Sequence, residues 1–258
     1  MKLLPALAVP AALAALAAPN LTAQETAEAW LARLKAVSDK PVELVQTMEM
    51  TYRGTKMTSR AELLYLDATH YANRAEIETY WPEQDQRMVR IMRTVGDGEK
   101  QWNEMTLPAT GQGAVQELTF EQVREQARGS ILAGRVHPGQ QLLALLDYTE
   151  PDEVQLGDDS VTLVAAVTEA GKSKLVPMLA GVVPKEVEVV LDRKTGFLRS
   201  WKLRRFTGET VLSLTVTDVR FPDPAKIDRR RFVFEPSGEI EERHDPGAAE
   251  SDDDGKNP

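Results

Sequence analysis

The first regular pattern in the chain has a helical period. In "AEAWLARLKAVS", residues 27–38, Trp30, Leu31, Leu34 and Val37 recur at three- and four-residue spacing. Thr26 stands where an N-cap belongs, and Pro41 stops the helix. The period then changes to two. In "VELVQTMEMTYRG" Val42, Leu44, Met48, Met50 and Tyr52 share one face, and Glu43, Thr47, Glu49 and Thr51 the other. After the Gly54-Thr55 turn, "KMTSRAELLYLD" returns with Ala61, Leu63 and Tyr65 on one face. "HYANRAEIETYWP", "RMVRIMRTV" and, past the turn "GDGEK", "QWNEM" follow as strands.

Residues 106–150 interrupt this pattern. "LPATGQGAVQ" reads as loop, "TFEQVREQAR" as a short helix opened by Thr119, and "PGQQLLALLDY" as a second with Pro138 near its start. Strands resume in "SVTLVAAVTE", "KEVEVVLD", "FLRSWKLRRF" and "ETVLSLTVTDVRF", joined by tight turns. Strands at this spacing predict antiparallel hairpins. The fold class is α+β: one strongly curved antiparallel half-barrel sheet of about ten to eleven strands, its concave face covered by short helices.

Two stretches raise separate questions. "KLVPMLAGVVP", 174–184, lies between two strands where a tip would be polar, yet it carries Leu175, Val176, Met178 and Leu179. Pro177, Gly181 and Pro184 oppose a long regular element there, so the stretch reads as a plug over the sheet's mouth or as a lid or contact loop. "KIDRRRFVFEPSG", 226–238, sets three arginines in a row. As a strand it puts Arg230, Phe232 and Phe234 on one face and Arg229, Arg231 and Val233 on the other. Its arginines are then a charged edge that deters pairing, or an anion contact at the rim.

Composition narrows the function classes. The 258 residues include 42% aliphatic and aromatic side chains, enough for a sizeable core. The formal charge of −9 argues against nucleic acid as a partner. Residues 239–258 hold Glu239, Glu241, Glu242, Asp245, Glu250, Asp252, Asp253 and Asp254 against Arg243 and Lys256, and read as an acidic disordered tail. The absence of cysteine excludes disulfides and thiolate chemistry. "MKLLPALAVPAALAALAAP", a lysine followed by an Ala-rich apolar run, reads as a secretory signal peptide over 1–23, with export to the periplasm.

Signals for catalysis fail one by one. His70, His137 and His244 are scattered, with no metal-binding spacing. "GKS" at 171–173 lacks the glycine a phosphate loop needs at 166, where Ala stands. There is no G-x-S-x-G, and "DDDG" at 252–255 lacks the closing Glu of a calcium loop. No catalytic residue, metal or cofactor is expected.

The order of the pieces resembles the outer-membrane lipoprotein carrier LolA and the wider LolA-like superfamily. An amphipathic helix follows the signal peptide, and "AELLYLDATHYANRAEI" looks like that family's paired strands. "VGDGEKQW" looks like its turn before an aromatic, "VVLDRKTGFLRSW" like its late hairpin, and "VTDVRFPDPAKIDRRRFVFEPSGEI" like its closing stretch. Leu66-Asp67-Ala68 stands where the carrier has Arg-Pro. The resemblance implies a half-barrel domain over 24–238, with 106–150 as a lid insertion. It also implies a non-enzymatic carrier of lipid or lipoprotein acyl chains in outer-membrane lipoprotein sorting, served by a membrane-bound donor or acceptor. The alternative is a sensor or interaction module of the same fold that binds a membrane-bound signalling protein. Strand alternation nominates Met48, Met50, Tyr52, Leu63, Tyr65, Ile91, Trp102, Val189, Leu191, Trp201, Leu203, Leu214 and Val216 as cavity lining.

Overall fold

A computed structural model describes residues 26–237, apart from 53, 129–130, 132–134 and 180, together with 241–242. The expected signal peptide, and the acidic tail beyond 242, lie outside the described residues. No helix among the described residues is long and apolar enough to cross a membrane.

The chain opens with α1 (Ala27–Ser38), capped by the Thr26 hydroxyl, which accepts from the Ala29 amide. Strands β1 (Val42–Tyr52), β2 (Thr55–Tyr65), β3 (His70–Trp81), β4 (Gln86–Asp97), β5 (Lys100–Leu107) and β6 (Gln112–Thr119) follow. Next come α2 (Phe120–Gln126), α3 (Pro138–Leu146), β7 (Thr149–Leu156), β8 (Ser160–Val167) and α4 (Glu169–Met178). The series ends with β9 (Pro184–Asp192), β10 (Leu198–Arg205), β11 (Thr210–Arg220) and a two-residue β12 (Glu241–Glu242). All strands form one sheet in the order β12-β6-β5-β4-β3-β2-β1-β11-β10-β9-β8-β7. Pairings among β1 to β11 are antiparallel, and β12 runs parallel to β6.

This order explains where the helices lie. The chain starts mid-sheet, meanders out to β6, and must then reach the far edge at β7 before returning to pair β11 with β1. The segment making that traverse carries α2 and α3. One apolar cluster joins helices to sheet. Trp30 and Leu34 of α1, Leu142 and Leu145 of α3 and Leu175 of α4 bury there with Leu44, Val161, Leu163, Val189, Trp201 and Leu214 of the strands. α1 and α3 meet so closely that a Cβ on Gly139 would collide with the Ser38 hydroxyl, which leaves room only for glycine.

Four expectations change. "LPATGQGAVQ" is not loop: β5 runs to Leu107, turns, and returns as β6. β7, "TEPDEVQL", is a strand that the sequence pattern does not announce; as an edge strand it is polar and tolerates Pro151. Within 174–184 the chain forms the end of α4 instead of an irregular tip. The Thr168 side chain caps that helix by accepting from the Gly171 amide at 3.1 Å, and Pro177 falls in its last turn. Arg229–Phe232 is a 3-10 turn, not a strand, because Asp228 accepts from the Arg230 amide at 3.0 Å and winds the chain. Two of its arginines serve locally: Arg230 pairs with Asp228 and Arg231 with Glu43.

Candidate ligand-binding face

Directly opposed residues of antiparallel strands share a face, so the register sorts the side chains. On the helix-bearing face, one row reads Leu212, Met50, Met57, Thr79, Met88 across β11, β1, β2, β3 and β4. The next reads Leu214, Met48, Ser59, Ile77, Arg90. A third reads Val216, Gln46, Ala61, Ala75, Met92, Met105, Ala114 and reaches β6. Small residues Ser59, Ala61, Ala75 and Thr79 are buried between longer side chains. Met48, Met50, Met57, Ile77, Met88 and Met92 are half-buried, and Met105 is exposed. Unbranched methionines on small neighbours make an apolar surface that can adapt its shape.

Beyond these rows the same face closes under the helices. Leu63 and Tyr65 are buried there, with Tyr71 opposite Tyr65. The Tyr65 hydroxyl accepts from Gln140 Nε2 at 3.0 Å, and burial raises its pKa. The Tyr71 hydroxyl donates to Gln101, and burial pushes its pKa well above the ordinary tyrosine value. His137 caps α3, its Nδ1 accepting from the Gly139 amide at 3.1 Å, with the Tyr65 and Phe197 rings edge-on to it. Burial lowers its pKa to about 4.

The residues nominated from sequence fall into three groups. Met48 and Met50 stand in the methionine rows; Tyr52 ends β1, its side chain outside the described residues. Leu63, Tyr65, Val189, Leu191, Trp201, Leu203, Leu214 and Val216 share the face but are buried as core. Ile91 and Trp102 lie on the opposite face, because Ile91 opposes Glu76 and Trp102 opposes Val95. On α4 and just past it, Leu175 and Leu179 are buried in the core, and Val176 and Met178 are half-buried. Sequence reasoning missed Met57, Ile77, Trp81, Met88, Arg90, Met92 and Met105. In β4 the other frame, Val89, Ile91 and Val95, is the more apolar one, so alternation points the wrong way there.

The opposite face has a cavity of its own, about 390 Å³, beneath the C-terminal segment. Its lining includes Glu43, Glu62, Arg74, Arg93, Arg220 and Arg231. Arg231 pairs with Glu43 at 2.9 Å and Arg93 with Glu104 at 2.7 Å, so two of its arginines already hold carboxylates. Among the described residues no group of three or more His, Asp or Glu could hold a metal ion.

No family model matches the sequence, and no curated protein matches it. Solved structures similar to this chain include an uncharacterized conserved protein from Thermus thermophilus, at 11% identity and TM-score 0.42, covering 84% of this chain and 99% of that one. LprF from Mycobacterium bovis matches at 9% identity and TM-score 0.42, covering 78% and 99%. A LolA superfamily protein from Nitrosomonas europaea matches at 11% identity and TM-score 0.28, covering 81% and 98%. Likenesses at this level carry no conclusion about function.

Proposed function

We propose that the protein is an exported binding or carrier protein that holds an acyl chain on the methionine rows of β1 to β5. The observation that supports this reading is the placement of methionine. The chain has eight, and Met48, Met50, Met57, Met88, Met92 and Met105 stand on one face of neighbouring strands. A protein that leaves such a face half-open commonly uses it for binding. Each methylene removed from water contributes roughly 0.8 kcal/mol, so one chain gives useful affinity without catalysis. Delivery would then require a membrane-bound donor or acceptor.

Native mass spectrometry of the exported protein, purified without detergent, tests the proposal. Bound lipid should appear as added mass, and Met57→Glu with Met88→Glu should remove it while circular dichroism stays unchanged. A protein that carries no lipid and takes up none from vesicles would sink the reading.

A further inference from the structure

The methionine face is nearly free of charge. On the helix-bearing side of β1 to β6, every Asp and Glu of the strands points away, and Arg90 is the single charged side chain among the described positions. Its neighbours on β4 are Met88 and Met92, and Ile77 stands directly opposite it. Arg90 Nε is buried and has no hydrogen-bond partner. Thr79, one alternation along β3 from Ile77, has a buried hydroxyl that is also without a partner. Arg90 forms no ion pair among the described residues. A buried guanidinium nitrogen set among apolar side chains without an acceptor is costly, and a bound water or an anion resolves it.

We infer that the ligand of this face is an amphiphile with an anionic head, a carboxylate or a phosphate, received by Arg90 with Thr79 beside it. The inference rests on the acyl-binding reading above and narrows it by excluding neutral lipid as the preferred ligand. The guanidinium presents a planar fork suited to two oxygens of such a head, and the Thr79 hydroxyl can donate to one of them. The chain would then run from Met88 toward Met50, a row crossing four strands and about 14 Å long at ~4.8 Å per strand. The protein's formal charge of −9 repels anions in general, so a preference for them would have to come from a local cation.

The test is isothermal titration of the purified chain with sodium dodecanoate, dodecyl phosphate and 1-dodecanol, each below its critical micelle concentration, at pH 8. At least one anion should bind about tenfold or more tightly than the alcohol. Arg90→Gln and Arg90→Met should erase that gap, bringing the affinity for the anions down to that for dodecanol. The ranking of carboxylate against phosphate identifies the head. Equal binding of all three ligands, or an unchanged gap in the variants, would overturn the inference and leave acyl binding standing. Binding of none would overturn both. Should the variants fail to fold, the wild-type comparison of anion with alcohol decides alone.

Discussion

The rings of Trp102 and Phe234 stack in parallel with centroids 5.1 Å apart, on the face of the sheet that carries no helix. Around them the C-terminal segment is fastened at successive points. Phe232 is buried with Leu64 and Leu66, Arg93 donates to the Glu235 carbonyl at 2.9 Å, and the Ser237 amide donates to the buried Glu104 carboxylate at 2.8 Å. The segment thus crosses β2 to β5 as a strap, and residues 241–242 continue along β6.

Phe234→Ala removes the stack and uncovers Trp102. It should lower unfolding stability by about 1–2 kcal/mol, since Phe234 is only partly buried and the ring contact adds a modest increment. Urea denaturation measures the loss, and Trp102 emission should shift to longer wavelength. An unchanged midpoint would mean that the strap contributes no stability through this contact.

His137 gives stability an acid dependence with a defined window. Its folded pKa is lowered to about 4 by burial, against an ordinary value of 6.5. Above 6.5 both states are neutral and the group contributes nothing. As pH falls below 6.5 the unfolded chain binds a proton that the folded one refuses, so stability declines until about pH 4, by about 3 kcal/mol in all. Asp192 acts lower. Burial alone would raise its carboxyl, but hydrogen bonds from Arg199 and Thr195 outweigh that and hold it at about 2. Its contribution is therefore lost only as pH falls from the ordinary 3.8 toward 2. His137→Asn keeps a side-chain acceptor at the N-cap. It should flatten the curve between pH 6.5 and 4 and leave the lower limb in place.

The sequence pattern is readable where a side chain's neighbours are close in the chain. α1 and strands β1 to β5 and β8 to β11 follow from period and turns alone. The edge strand β7, and β6, which has only the two-residue β12 on its outer side, are hidden because strands so placed bury little and show little alternation. Ile91 and Trp102 fall on the unexpected face for a different reason. Trp102 is covered by Phe234 of the strap, which arrives more than a hundred residues later, and no local pattern shows that it will; Ile91 sits in the frame of β4 that carries Val89 and Val95. Arg90 and Thr79 look like ordinary solvated positions until the register sets them among methionines.

Leu175→Asp combined with Leu179→Asp separates the two readings of the 174–184 stretch. Both side chains are almost fully buried, at 2% and 5% exposure, one turn apart and against the main core. Two carboxylates without partners there should cost at least about 4 kcal/mol, seen as a lower melting temperature and a reduced urea midpoint. If α4 were instead a contact surface, the variant would melt as the wild type does and lose only lipid transfer. Val176→Asp, at a half-buried position on the same helix, should be much milder.

Tryptophan emission can report where the ligand sits. The chain has four tryptophans. Trp30 and Trp201 are buried in the main core, and Trp102 lies on the opposite face under the strap. Trp81 ends β3 on the methionine side, one alternation beyond Thr79, and is only half-buried. An acyl chain laid along Met50, Met57 and Met88 would exclude water from the Trp81 ring and shift its emission to shorter wavelength. Dodecanoate should therefore produce a blue shift in the wild type that Trp81→Phe abolishes. Trp102→Phe and Trp201→Phe should each retain it. A shift that survives in Trp81→Phe but disappears in Trp102→Phe would place the ligand on the strap side, in the charged cavity, and would refute the assignment to the methionine rows.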